Sequence, residues 1–162
     1  MSQQAIFAAG CFWGVQSYFD QVPGVTSSSV GYTGGHTEDP TYQDVCTHTT
    51  GHAEAVLLSF DPSLVNYETL CRQFFDMHDP TQLNRQGPDV GDSYRSAIFY
   101  FDEEQKQTAQ MVKLDVESNF DKAIVTEIST AQKFYEAEDY HQKYTEKTGI
   151  GSCHVAYRPV GG

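Results

Sequence analysis

Apolar and polar positions along the chain alternate between two periods. Ala5 to Ala9 is a short apolar run ending at Gly10 and reads as a buried strand. Phe12, Val15, Phe19 and Val22 follow at i, i+3, i+7 and i+10, one face of a helix that Pro23-Gly24 stops. Val25 to Tyr32 is a second strand. Residues 33–51 are Gly/Thr/Asp-rich and aperiodic, a long loop of the kind that usually carries function. Ala53 to Phe60 is nearly all apolar, as in a central strand covered on both faces. Asn66 caps a helix with Leu70, Phe74 and Met77 on its inner face. A second polar loop occupies 78–93, and Tyr94 to Phe101 is a strand. Asp102 and Gln105 form a capping-box-like start to a helix whose stripe is Ala109, Val112, Val116 and Phe120. Ile124 to Ile128 is a short strand, residues 134–148 are expected to be helical, and a Gly-rich tail follows from Gly149. Strands and helices in this order predict an α+β fold, a ferredoxin-like two-layer plait with a mixed sheet, helices on the sheet and an irregular C-terminal tail.

A chain of 162 residues without repeats or linkers predicts a single domain over 1–162, with a core of about 4–148 and a tail over 149–162. Aromatics make up 13% of the residues, which excludes disorder for the bulk of the chain. The net charge of −12 argues against nucleic acid or an anionic membrane as partner. No 18-residue apolar run and no signal-peptide pattern occur, and four cysteines are too few for a disulfide scaffold. The expectation is a cytoplasmic monomer with reduced thiols. Residues 1–71 hold seven carboxylates and no Lys or Arg, so an activated group there must be tuned by backbone dipoles, histidines or cations from later in the chain.

Cys11 lies between a strand end and the first turn of a helix. Unpaired N–H groups and the positive end of the helix dipole favour a thiolate there. Gly10 and Gly14 allow close approach to the backbone, and Phe12 and Trp13 set two large rings beside the sulfur. On this placement alone a buried structural cysteine stands level with a reactive one. Glu54 lies in the apolar run 53–60, where desolvation raises a carboxyl pKa, although most glutamates are exposed. Cys46, His48 and His52 have no common zinc spacing and no fourth ligand nearby, so no metal is expected.

Gly10-Cys11-Phe12-Trp13-Gly14 resembles the signature of the class A peptide methionine sulfoxide reductases. Gly31-Tyr32-Thr33-Gly34-Gly35, Pro40-Thr41-Tyr42, Gly51-His52-Ala53-Glu54-Ala55-Val56, His78-Asp79-Pro80 and Tyr94-Arg95-Ser96-Ala97-Ile98 continue it in family order, over roughly residues 6–153. The resemblance implies reduction of methionine (S)-sulfoxide, free or in proteins, with no bound cofactor and thioredoxin as external reductant. It implies Cys11 as nucleophile and Glu54 as the acid that protonates the departing oxygen. Tyr42 and Tyr94 are implied as hydroxyl donors to that oxygen, Phe12 and Trp13 as an apolar slot for the substrate methyl group, and Asp89 as a residue that helps hold the site.

A sulfenic acid left on Cys11 can condense with a second thiol. The family's recycling cysteines commonly lie in such a tail, often as a pair. Cys153 is the tail's only cysteine, which suggests a single resolving thiol. Cys71 reads as core, and Cys46 and His52 have no assigned role. Two other readings compete. A peroxide reductase also needs a poised cysteine and a resolver, but it gives no reason for Trp13 or for a buried Glu54. A module that only binds oxidised methionine needs no Cys153.

Overall fold

The computed structural model describes residues 2–142. The expectations for the tail, including Cys153, lie outside the described residues. Six strands form one sheet in the order β7-β6-β1-β3-β2-β8. These are β1 (Gln3–Ala9), β2 (Val25–Thr33), β3 (Ala53–Phe60), β6 (Ser96–Tyr100), β7 (Glu127–Thr130) and β8 (Tyr135–Glu136). β4 (Arg85–Gln86) and β5 (Asp89–Val90) make a separate hairpin. The inner strands β6-β1-β3-β2 are all antiparallel, and β7 joins β6 in parallel. That inner order, with α1 (Phe12–Asp20) linking β1 to β2 and α3 (Tyr67–Met77) following β3, is the ferredoxin-like plait in a mixed sheet.

The two faces of the sheet differ because side chains alternate along each strand. Phe7, Val56, Leu58 and Phe60 point into one large core with Phe12, Val15 and Phe19 of α1 and Leu70, Phe74 and Phe75 of α3. Phe7 stacks on Phe19 and Phe74 at 5.3 and 5.2 Å between ring centroids. The other face buries a smaller cluster of Ile6, Ala8, Ala53, Ala55, Ala97 and Phe99, against which Ala131 and Phe134 pack. β3 is therefore covered on both faces, as its nearly continuous apolar run requires.

The Asn66 side chain caps α3 by accepting from Thr69 N at 2.8 Å. Asn66→Ala should cost about 1 kcal/mol of unfolding free energy, measured by urea denaturation.

Five expectations are corrected. The 33–51 loop contains a short helix, α2 (Tyr42–Cys46), which Thr41 and Asp44 close with a reciprocal capping box. Tyr94 lies in a 3-10 turn, Asp92–Tyr94, and the strand begins at Ser96. The helix after Asp102, α4 (Glu103–Val116), ends before Phe120, and Gln105 turns its side chain to Phe101 N instead of completing a box with Asp102. Ile124 precedes the strand predicted to start there, which begins at Glu127. Residues 134–142 are not helical. They form β8, which pairs with β2 at Gly31 and Tyr32, and a 3-10 turn, Asp139–His141.

Candidate active site

The site is assembled where β1 meets α1. Gly10 takes φ +92°, a backbone that L side chains rarely adopt, and this turn sets Cys11 at the N-cap of α1. The backbone N–H groups of Trp13 and Gly14 lie on the sulfur side of the turn and favour its anion, as a helix start provides. Glu54 projects from β3 towards the same turn. It is 2% exposed, and its Oε1 accepts from Phe12 N at 3.3 Å.

Burial drives both groups towards their neutral forms. It pushes the Glu54 carboxyl up to about 8, against the stabilising N–H of Phe12 and with help from the negative charge of Asp89. The Cys11 thiol is pushed up to about 12 by burial first, then by Glu54 and more weakly by Asp89. Burial thus opposes the thiolate that the helix start favours. The two helix N–H groups do favour the anion, but desolvation beside two carboxylates outweighs them.

Tyr42 opens α2 and Tyr94 closes the 3-10 turn after β5. The phenols of both are held well above their ordinary range by burial and by the Glu54 charge, so they remain hydroxyl donors. Asp89, on β5, acts on Glu54, Cys11 and Tyr94 through its charge. The 3-10 turn that carries Tyr94 is steadied by His48, which lies 3.6 Å from Asp92 and 6.3 Å, ring to ring, from Tyr94. Phe12 is 1% exposed and belongs to the core while sitting next to the sulfur. Trp13 is half-buried.

The remaining cysteine and histidine questions resolve locally. Cys71 is core, 0% exposed, with its thiol pushed up to about 12 by burial. Cys46 is exposed, and its thiol is near enough to the Tyr42 hydroxyl to help raise that phenol. His52 has both ring nitrogens engaged, Nδ1 accepting from Gly35 N at 3.0 Å and Nε2 at 2.6 Å from Thr37 O. It ties the 33–51 loop to β3. Gly35 fits there because a Cβ would run into Thr50 O and His52 N. Among the described residues no three His, Cys, Asp or Glu side chains come together as a metal-holding group. Nor is any helix among them long and apolar enough to cross a membrane.

Sequence reasoning missed two residues beside the site. Glu138 accepts from the Tyr32 hydroxyl at 3.1 Å and from Tyr42 N at 3.3 Å. His141 accepts the Trp13 indole N–H on Nδ1 at 3.0 Å. Both come from the segment predicted as helix, and no spacing signal marks them.

The family model described as peptide methionine sulfoxide reductase matches residues 3–161, and the chain belongs to that family. The peptide methionine sulfoxide reductase MsrA of Methanosarcina acetivorans is 56% identical over 150 residues, 91% of this chain and 80% of that protein. The enzyme of the same name from Methanothermobacter thermautotrophicus is 53% identical over 155 residues, 94% of this chain and 92% of that one. Among solved structures, methionine sulfoxide reductase A of Corynebacterium diphtheriae superposes with a TM-score of 0.89 at 34% identity, covering 96% of this chain and 84% of that one. Mxr1 from Saccharomyces cerevisiae in reduced form gives 0.88 at 29% identity, covering 98% and 92%.

Proposed function

We propose that this chain reduces methionine (S)-sulfoxide, free or within proteins, by thiol chemistry at Cys11. The observation that carries the reading is the pairing of a buried, protonated carboxyl with a cysteine at a helix start, Glu54 beside Cys11. Tyr42 and Tyr94 donate hydrogen bonds to the sulfoxide oxygen, where negative charge grows as the S–O bond weakens. The Cys11 sulfur attacks the substrate sulfur, and Glu54 delivers its proton to the oxygen and takes up the thiol proton in return. Oxygen passes to Cys11 as sulfenic acid, and methionine leaves. The substrate sulfur gains two electrons and Cys11 loses two, so the step is balanced with Glu54 neutral again. Phe12 and Trp13 receive the methyl group, and burial, with help from the charge of Asp89, keeps Glu54 protonated.

Cys153 then attacks the sulfenic acid, water leaves, and a Cys11–Cys153 disulfide forms. Thioredoxin is the external reductant that reopens it, and the protein carries no bound cofactor. Mxr1, one of the solved relatives, has also been solved in complex with Trx2.

Cys153→Ser separates the two halves of the cycle. The variant should still release about one methionine per protein, because oxygen transfer needs only the Cys11 site. Thioredoxin-driven turnover should fall steeply. Peptide mapping of wild type after substrate alone should recover Cys11 joined to Cys153. A dominant bridge to Cys46 or Cys71, or full turnover in the variant, would refute the assignment.

A further inference from the structure

The geometry points to His141 as a positioning residue that holds the Trp13 indole against the substrate slot through its Nδ1. This rests on the proposed role of Trp13, but the bond itself is independent of that role. Indole N–H is only a donor, so Nδ1 must be the unprotonated nitrogen and the imidazole proton sits on Nε2. His141 is 1% exposed, and its Nε2 finds no hydrogen-bond partner among the described residues. A ring needed only for packing would be better served by a phenyl group, which buries no unpaired donor.

Four aromatic rings fix the imidazole. Tyr140 lies at 4.0 Å between centroids, Tyr42 at 4.5 Å, Phe12 at 5.3 Å and Trp13 at 5.7 Å, the last stacked. Glu138, three residues earlier, binds the first turn of α2 through Tyr42 N and binds β2 through Tyr32. The segment from Glu138 to His141 thus links the ring of the proposed methyl slot to the helix that carries one proposed oxygen donor. Side chains with several rotamers need such outside contacts to stay in a productive orientation.

The bond can be switched by protonation. Imidazolium has N–H on both nitrogens, so Nδ1 can no longer accept from Trp13. The titratable groups facing the ring are Glu138 on its own segment, Tyr42 on α2 and Tyr140 beside it. The tyrosines stay neutral through the acid range. Burial lowers the His141 pKa from its ordinary value, and Glu138 opposes this.

Trp13 is the only tryptophan in the chain, so its fluorescence reports this bond without interference. In wild type the emission should be quenched as pH falls, with a midpoint below 6.5, the ordinary histidine value. In His141→Phe, which keeps an aromatic ring and loses the acceptor, the titration should vanish and the emission maximum should shift. The kcat/KM for methionine sulfoxide should fall about 10-fold or more. His141→Asn, whose side-chain oxygen can take the place of Nδ1, should also lose the titration. It should retain the wild-type emission maximum and recover kcat/KM to within about threefold, a factor well inside the loss expected from misplacement. An absent titration in wild type would overturn the proposal, and so would an Asn variant as impaired as the Phe variant. Should His141→Phe fail to fold, wild type and His141→Asn still decide it. Fluorescence needs no turnover, so a protein that titrates as expected but reduces no sulfoxide would contradict the proposed function and leave the His141 contact standing.

Discussion

Replacing Cys11 by serine is expected to abolish sulfoxide reduction, a loss of at least ~10³-fold in single-turnover methionine yield per unit time. A serine hydroxyl is a far weaker nucleophile, and it cannot form a sulfenic acid. The fold should survive the change. Cys11 occupies the N-cap of α1 without making a side-chain capping bond, and serine is among the preferred capping residues. The thermal midpoint of Cys11→Ser should therefore equal or exceed that of wild type. A variant that folds and is inactive assigns the loss to chemistry, whereas retained multiple turnover would remove Cys11 from the mechanism.

Glu54→Gln should slow the chemical step by ~10²-fold or more, the range for loss of a general acid. The same change should stabilise the protein in a defined pH window. The Glu54 pKa is raised by folding from 4.5 to about 8, so the folded state binds the proton more tightly than the unfolded state. Burying the neutral form has no ionic penalty below pH 4.5. Above it the unfolded chain ionises while the folded chain does not, and wild type loses stability until pH reaches about 8. Glutamine does not titrate and still offers an oxygen to Phe12 N. The unfolding free energy of the variant relative to wild type should grow across that window, by roughly 1.4 kcal/mol per pH unit at most. Denaturant titrations at pH 5, 6.5 and 8 measure it. An unchanged difference would mean that Glu54 is ionised in the folded protein and is not the acid.

These two effects locate what was legible in the sequence. β3 was readable with its bounds because a strand buried on both faces needs a nearly continuous apolar run, and Ala53 to Phe60, interrupted only by Glu54 and Ser59, is one. The α3 start was readable because Asn66 caps it through its own side chain. α2 was hidden because five residues are too few for a helical period to show, although Thr41 and Asp44 carried a capping signal. Residues 134–142 misled for a different reason. The helix expected there gives way because the edge of β2 claims Tyr135 and Glu136 as a strand. Tertiary pairing overrides local period in such a case.

In the site, residue identity was easier to read than charge state. Cys11 and Glu54 stood out through the family motifs that hold them, since placement on a helix start and an apolar strand left a structural cysteine and an exposed glutamate as open alternatives. The N–H groups that favour a Cys11 thiolate are visible in the order of elements. The desolvation and the two carboxylates that oppose it come from β3 and β5, 43 and 78 residues away in sequence, and only the folded chain brings them together. Glu138 and His141 were missed on the same ground, since their partners Tyr32, Tyr42 and Trp13 lie about 100 residues or more upstream.

The pH dependence of single-turnover methionine formation by the fully reduced protein tests the account most directly. With Glu54 as a neutral acid up to about pH 8 and Cys11 as a thiol up to about pH 12, the rate should hold level from pH 6 to about 8. It should then fall towards tenfold per unit as Glu54 ionises, and the residual rate of Glu54→Gln should lack that fall. A wild-type rate that climbs through pH 8 to 10, following a growing thiolate fraction, would contradict it.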